Sequence, residues 1–192
     1  MLALLQRRLA QAKEPLSISY QKADVTKLPF ADAAFDIAIA VHLFYFIQEW
    51  REAADELLRV VRRSGPVVLM HTGTGAEIPF LNERYKELSA EEGFPIKEIG
   101  VKSTTEVVNY FRSLGCHTEA VRDRWQWTSR IRLDKAIRYM KSRAYSFTTS
   151  VPDDLHSTII RRLESEMRHR FGSLTMAVEV PNQIYLVLIL RR

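Results

Sequence analysis

A single cysteine, Cys116, in 192 residues leaves no partner for an intramolecular disulfide and rules out any multi-cysteine metal site. It also points to a reduced, cytoplasmic setting. Long apolar runs are equally scarce. The longest, Ile37 to Ile47, is interrupted by His42 and falls well short of the ~20 residues a membrane-spanning helix needs. Arg7 and Arg8 follow the apolar start of the chain, the reverse of a secretory signal. No repeat, low-complexity tract or Gly/Ser linker divides the sequence. Glycine numbers seven, and none precedes Gly65.

What is present is the composition of an ordinary globular domain, with 46% hydrophobic, 10% aromatic and 27% charged residues. One domain is expected at this length. The net charge of +5 is unevenly spread. Residues 1–100 hold 12 Lys+Arg against 14 Asp+Glu, and residues 101–192 hold 16 against 9. The basic half is compatible with an anionic substrate or nucleic acid.

Periodicity predicts an α/β order. Met1 to Lys13 reads as an amphipathic helix with Leu2, Leu5 and Leu9 on one face. Ile18 to Lys22 alternates like a short strand, and Asp24 to Asp36 reads as a loop. Ile37 to Val41 suits a buried parallel strand. Glu49 to Arg63 returns to helical spacing, with an expected Asp55–Arg59 pair, and Gly65-Pro66 stops it. Val67 to Met70 closes a βαβ unit. Further on, Pro79 opens a helix stopped by Gly93, and Ser103-Thr104-Thr105-Glu106 is a capping box closed by Gly115. His117 to Trp127 reads as a strand. Helices are expected through Leu133, Ile137 and Met140, and from Pro152-Asp153-Asp154 through Met167. Thr175 to Val180 and Ile184 to Leu190 read as two last strands around one shared core.

The stretch with chemical content runs Ala23-Asp24-Val25-Thr26-Lys27-Leu28-Pro29-Phe30-Ala31-Asp32-Ala33-Ala34-Phe35-Asp36. It resembles class I S-adenosylmethionine-dependent methyltransferases, in particular the type 11 group that includes the ubiquinone/menaquinone methyltransferases. Their Asp-Ala-x-x-Leu-Pro-Phe-x-Asp-x-x-Phe-Asp run is matched at Asp24, Leu28, Pro29, Phe30, Asp32, Phe35 and Asp36. The resemblance covers residues 1–73 and is thin beyond them. It implies a Rossmann-like sheet with helices on both faces and a helical insertion, residues 128–174, before the last strand. The implied cofactor is S-adenosylmethionine, and the implied partner is a small-molecule methyl acceptor. Asp24 would take the adenine amine and the Val25 N–H a ring nitrogen, an acceptor and a donor matched to adenine's edge. Ala40, Val41 and His42 would line the methionine and ribose side, beyond the carboxyl end of their strand. Without its neighbours, Asp24 reads as a turn residue instead.

Two elements of that family are missing. No Asp-x-Gly-x-Gly-x-Gly loop precedes Asp24, and no acidic residue is in place to hold the ribose hydroxyls. In the family's strand order, 3-2-1-4-5-7-6, the chain would begin after strands 1 and 2. Ile18 to Lys22 would then lack a neighbour, and Ile37 to Val41 would become an apolar edge. A fragment or a truncated gene model is the expectation, and strands supplied by a partner chain the alternative. No catalytic residue and no metal ligand is assigned. His42 and His71 are each either a general base or a pocket wall. His71-Thr72-Gly73-Thr74-Gly75 lacks the lysine of a phosphate loop. A non-catalytic chain remains the competing reading. It would bind a partner or RNA through residues 122–143, where eight Lys+Arg face two Asp+Glu among Trp125, Trp127 and Tyr139.

Overall fold

The computed structural model describes residues 7–11, 17–72, 78–97 and 99–191. Four strands form a sheet in the order β1-β2-β4-β3, with β1 Ala38–Val41, β2 Val67–Thr72, β3 His117–Arg132 and β4 Ala177–Leu190. β1 and β2 are parallel, while β4 runs antiparallel to both β2 and β3. Helix α1, Trp50–Val60, lies in the connection between these two parallel strands, which cannot be joined by a hairpin.

Helices lie on both faces of the sheet, at different ends. Ala40, Val67, Leu69, Val187 and Ile189 project to one face and join α1 and α3 (Thr104–Ser113) in a first apolar cluster. Val180 and Ile131 project to the opposite face. There they meet α2 (Pro79–Glu91), α4 (Leu133–Lys141) and α5 (Asp153–Phe171) in a second cluster. The apolar residues thus divide between two clusters where the sequence suggested one core. α4 and α5 stand between β3 and β4. A buried relay holds the second cluster: the Tyr85 hydroxyl meets His156 Nδ1 at 2.6 Å, and His156 Nε2 lies 3.3 Å from the Lys141 carbonyl. Burial pushes the Tyr85 phenol up to about 12 and holds His156 below its usual value.

The capping box forms as expected. Glu106 Oε1 accepts the Ser103 N–H at 3.1 Å, and Gly115 ends α3 at φ +81°. Other expectations are corrected. Ile18 to Lys22 is exposed and carries no ladder, because among the described residues no strand lies beside it. The two expected last strands are one, since β4 runs through Pro181 and pairs it with Thr128. β3 continues past Trp127 to Arg132 after an irregularity between Val121 and Trp125. The N-terminal helix is described at 7–10 alone, and the rest of that expectation lies outside the described residues.

Among the described residues β1 lies at the edge of the sheet. Ile37, Ile39 and Val41 are 46%, 61% and 49% exposed, on the face opposite the first cluster. The β1 backbone is paired to β2 on one side.

Candidate functional site

The loop from Asp24 to Asp36 is fastened to α1 by Arg59. Its guanidinium donates to the carbonyls of Phe30 (2.7 Å) and Leu28 (3.0 Å), to Asp32 Oδ1 (2.8 Å) and to both oxygens of Glu56. Glu56 Oε2 in turn accepts the Leu28 N–H at 2.7 Å. The expected Asp55–Arg59 pair is therefore replaced. Arg59 turns to Glu56 and the loop, and Asp55 accepts the Tyr110 hydroxyl at 2.9 Å. Sequence reading missed Glu56. The available signal was its i,i+3 spacing from Arg59, the other spacing that faces residues on a helix.

The hydrogen bond from Arg59, with the Leu28 N–H, holds the Glu56 carboxyl down to about 2 from an ordinary 4.5. A carboxyl lowered on folding stabilises the protein above its unfolded value and loses that contribution as pH falls through the folded one. The urea midpoint is therefore expected to fall between pH 4.5 and 2, and to fall less steeply in Glu56→Gln. Parallel profiles for the two proteins would contradict this.

Asp24 sits in a tight turn. Its Oδ1 accepts the Thr26 N–H (2.9 Å) and hydroxyl (2.8 Å), which hold its carboxyl below the usual range. The Lys27 N–H closes on the Asp24 carbonyl at 3.1 Å. The side chain is exposed, and Val25 beside it is half-buried against the first cluster, together with Leu28 and Phe30.

At the carboxyl ends of the parallel strands Ala40 is buried, Val41 is exposed, and His42 takes a left-handed backbone at φ +50°. The His42 N–H donates to the Met70 carbonyl at 3.1 Å. That geometry turns its ring onto His71 at the end of β2, with Nδ1 to Nδ1 at 3.0 Å. Burial, then the neighbouring His42, holds the His71 imidazole below its usual value. The Tyr45 ring packs on His71 at 5.5 Å, and its hydroxyl meets Thr104 Oγ1 at 2.9 Å. These residues line a cavity of about 20 Å³. Residues 73–77, where the glycines of the possible phosphate loop fall, lie outside the described residues.

The basic segment is partly neutralised. Arg132 pairs with Asp134 and Arg143 with Asp153. Lys135, Arg138 and Lys141 are exposed along α4, and Trp125 and Trp127 are 42% and 43% exposed on β3.

A parallel β1–α1–β2 unit, an antiparallel β4 beside it and β3 outermost make a Rossmann-like α/β arrangement. Residues 1–69 match the family described as "Methyltransferase domain". Over 65 residues the chain is 43% identical to uncharacterised proteins of Mycobacterium tuberculosis and Mycobacterium bovis, an alignment covering 33% of this chain and 24% of theirs. The chain thus spans about a quarter of the length of the curated relatives it matches. The YcgJ protein of Bacillus subtilis shares the fold at a TM-score of 0.55 and 20% identity, over 98% of this chain and 78% of that one. A putative methyltransferase from an antibiotic biosynthesis pathway of Anabaena variabilis shares it at 0.52 and 13%, over 95% and 77%.

Proposed function

We propose that this chain contributes to transfer of a methyl group from S-adenosylmethionine to a small-molecule acceptor. Its part of the cofactor site would be Asp24, Val25, Ala40, Val41 and His42. The observation that carries the reading is the seating of the Asp24–Lys27 turn. Val25, Leu28 and Phe30 pack against the same apolar cluster that holds Ala40 of β1, and both lie within the segment that matches the methyltransferase family, which supports a shared site. In the same reading residues 128–174, which include α4 and α5, cover the acceptor side.

The residues present fit one end of the cofactor and not the other. A carboxylate at Asp24 and a backbone N–H at Val25 suit the adenine edge. The cavity at the strand ends, about 20 Å³, is far below the ~300 Å³ or more of a small-molecule site. No glycine stands before Asp24 to let backbone approach the methionine closely. When bound, the cofactor supplies an electrophilic methyl on sulfur, and no step through it is assigned to this chain.

Ultraviolet cross-linking of radiolabelled S-adenosylmethionine tests the reading, because it records weak contacts. Label is expected in the peptides bearing Asp24–Val25 or Ala40–His42. Asp24→Ala should reduce it about tenfold, the scale of a lost hydrogen bond to a charged group. Label elsewhere, or a yield indifferent to Asp24→Ala, rejects the assignment.

A further inference from the structure

We infer that His42 and His71 form a binding site for a divalent transition-metal ion at the carboxyl ends of β1 and β2. The inference does not rest on the methyl-transfer reading. Two imidazole nitrogens of the same type face one another at 3.0 Å across adjacent parallel strands. The rings meet edge to face, with centroids 4.6 Å apart and planes at 65°, so the pair is not a ring stack. Without an ion, the pair is held by one shared proton, with one nitrogen donating and the other accepting. If both rings carry their proton on Nε2, both Nδ1 atoms keep a lone pair to offer an ion at a point shared between them.

The separation says which ions suit that point. With metal–nitrogen bonds of about 2.0–2.1 Å, nitrogens 3.0 Å apart subtend about 95° at the metal. A tetrahedral ion would need about 3.3 Å between them. Near-right angles belong to the square and octahedral ions, and imidazole is a ligand suited to copper and nickel. The expected order is therefore Cu²⁺ above Ni²⁺ above Zn²⁺.

The surroundings are suited to hold such an ion. His42 reaches His71 from a left-handed backbone, a conformation uncommon outside glycine, and its N–H is tied to the Met70 carbonyl. Both rings therefore hang from fixed strand ends. The cavity of about 20 Å³ beside the pair is large enough for one water. It is also lined by Tyr45 and Thr104, whose hydroxyls meet at 2.9 Å and offer that water partners. Two nitrogens from the protein, with water completing the set, describe a site with open coordination positions. Among the described residues no cluster of three or more His, Cys, Asp or Glu is placed to hold a metal. The affinity is accordingly expected to be modest and the ion exchangeable.

The test is copper titration of the tag-free 192-residue chain, followed by calorimetry and by electron paramagnetic resonance at low temperature. One equivalent is expected to bind, with nitrogen splittings from two imidazoles and the metal order given above. His42→Gln and His71→Gln should each weaken binding at least about tenfold, and the double variant should abolish it. His117→Gln and His169→Gln, which alter exposed histidines, should leave it unchanged. The inference fails if the double variant binds copper as the parent does, if the exposed-histidine variants lose it, or if the parent spectrum shows fewer than two nitrogens. Should a variant not fold, the parent spectrum decides alone.

Discussion

Gly100→Ala is expected to lower the melting temperature by about 6–12 °C, the equivalent of about 3 kcal/mol in a domain of this size. A methyl group at this position would run into the Phe44 carbonyl oxygen and would sit 2.8 Å from the Tyr45 carbonyl carbon and 2.9 Å from the Ile47 carbonyl oxygen. All three atoms are backbone, so no side chain can swing away. The Gly100 N–H also donates to the Tyr45 carbonyl, and the Val101 N–H to that of Phe44. Alanine therefore pushes off the 3₁₀ turn Phe44–Phe46 that buries Phe44 and sets Tyr45 against His71. A calorimetric scan checks the stability, and near-ultraviolet circular dichroism should record the loosened Tyr45. An unshifted melt would mean that the turn and Gly100 do not pack as described.

Leu163→Ala should cost about 2–5 kcal/mol, because the side chain is fully buried in the second cluster. Where the loss appears matters as much as its size. Hydrogen exchange is expected to quicken in α2, α4 and α5, while β1, β2 and α1 keep their protection. The first cluster shares none of the buried residues that pack around Leu163. The ion pairs of α2 with α5, Arg84 with Glu166 and Arg162 with Glu91 and Glu92, join elements of the second group alone. A uniform loss of protection across both groups would show that the chain opens as one unit.

The elements legible in the sequence were those whose signals are local. Apolar spacing placed Leu133, Ile137 and Met140 on one buried face of α4. The Ser103–Glu106 box and Gly115 bounded α3. What failed depended on partners distant in sequence. Ile18 to Lys22 has strand-like alternation, but alternation cannot supply a neighbouring strand. The apolar runs Thr175 to Val180 and Ile184 to Leu190 read as two strands, with Pro181 between them. Yet it costs β4 only one donor, and Thr128 opposite keeps the register. In the candidate site, Asp24 and the β1 end were placed by motif. The Arg59 hub was not, because its partners Leu28, Phe30 and Asp32 lie about thirty residues away. The meeting of His42 with His71 was equally hidden, since 29 residues separate them.

β4 lies between β2 and β3 and is hydrogen-bonded to both, yet it is the strand synthesised last of the four. A ribosome adding about 5–20 residues per second leaves β2 and β3 without their shared neighbour for several seconds. During that interval the sheet cannot close, and the nascent chain presents two unfinished strand pairings to chaperones and to other chains. The sheet therefore cannot be completed before β4 is made, and a stop codon ahead of Ala177 would remove the strand on which both flanking partners depend.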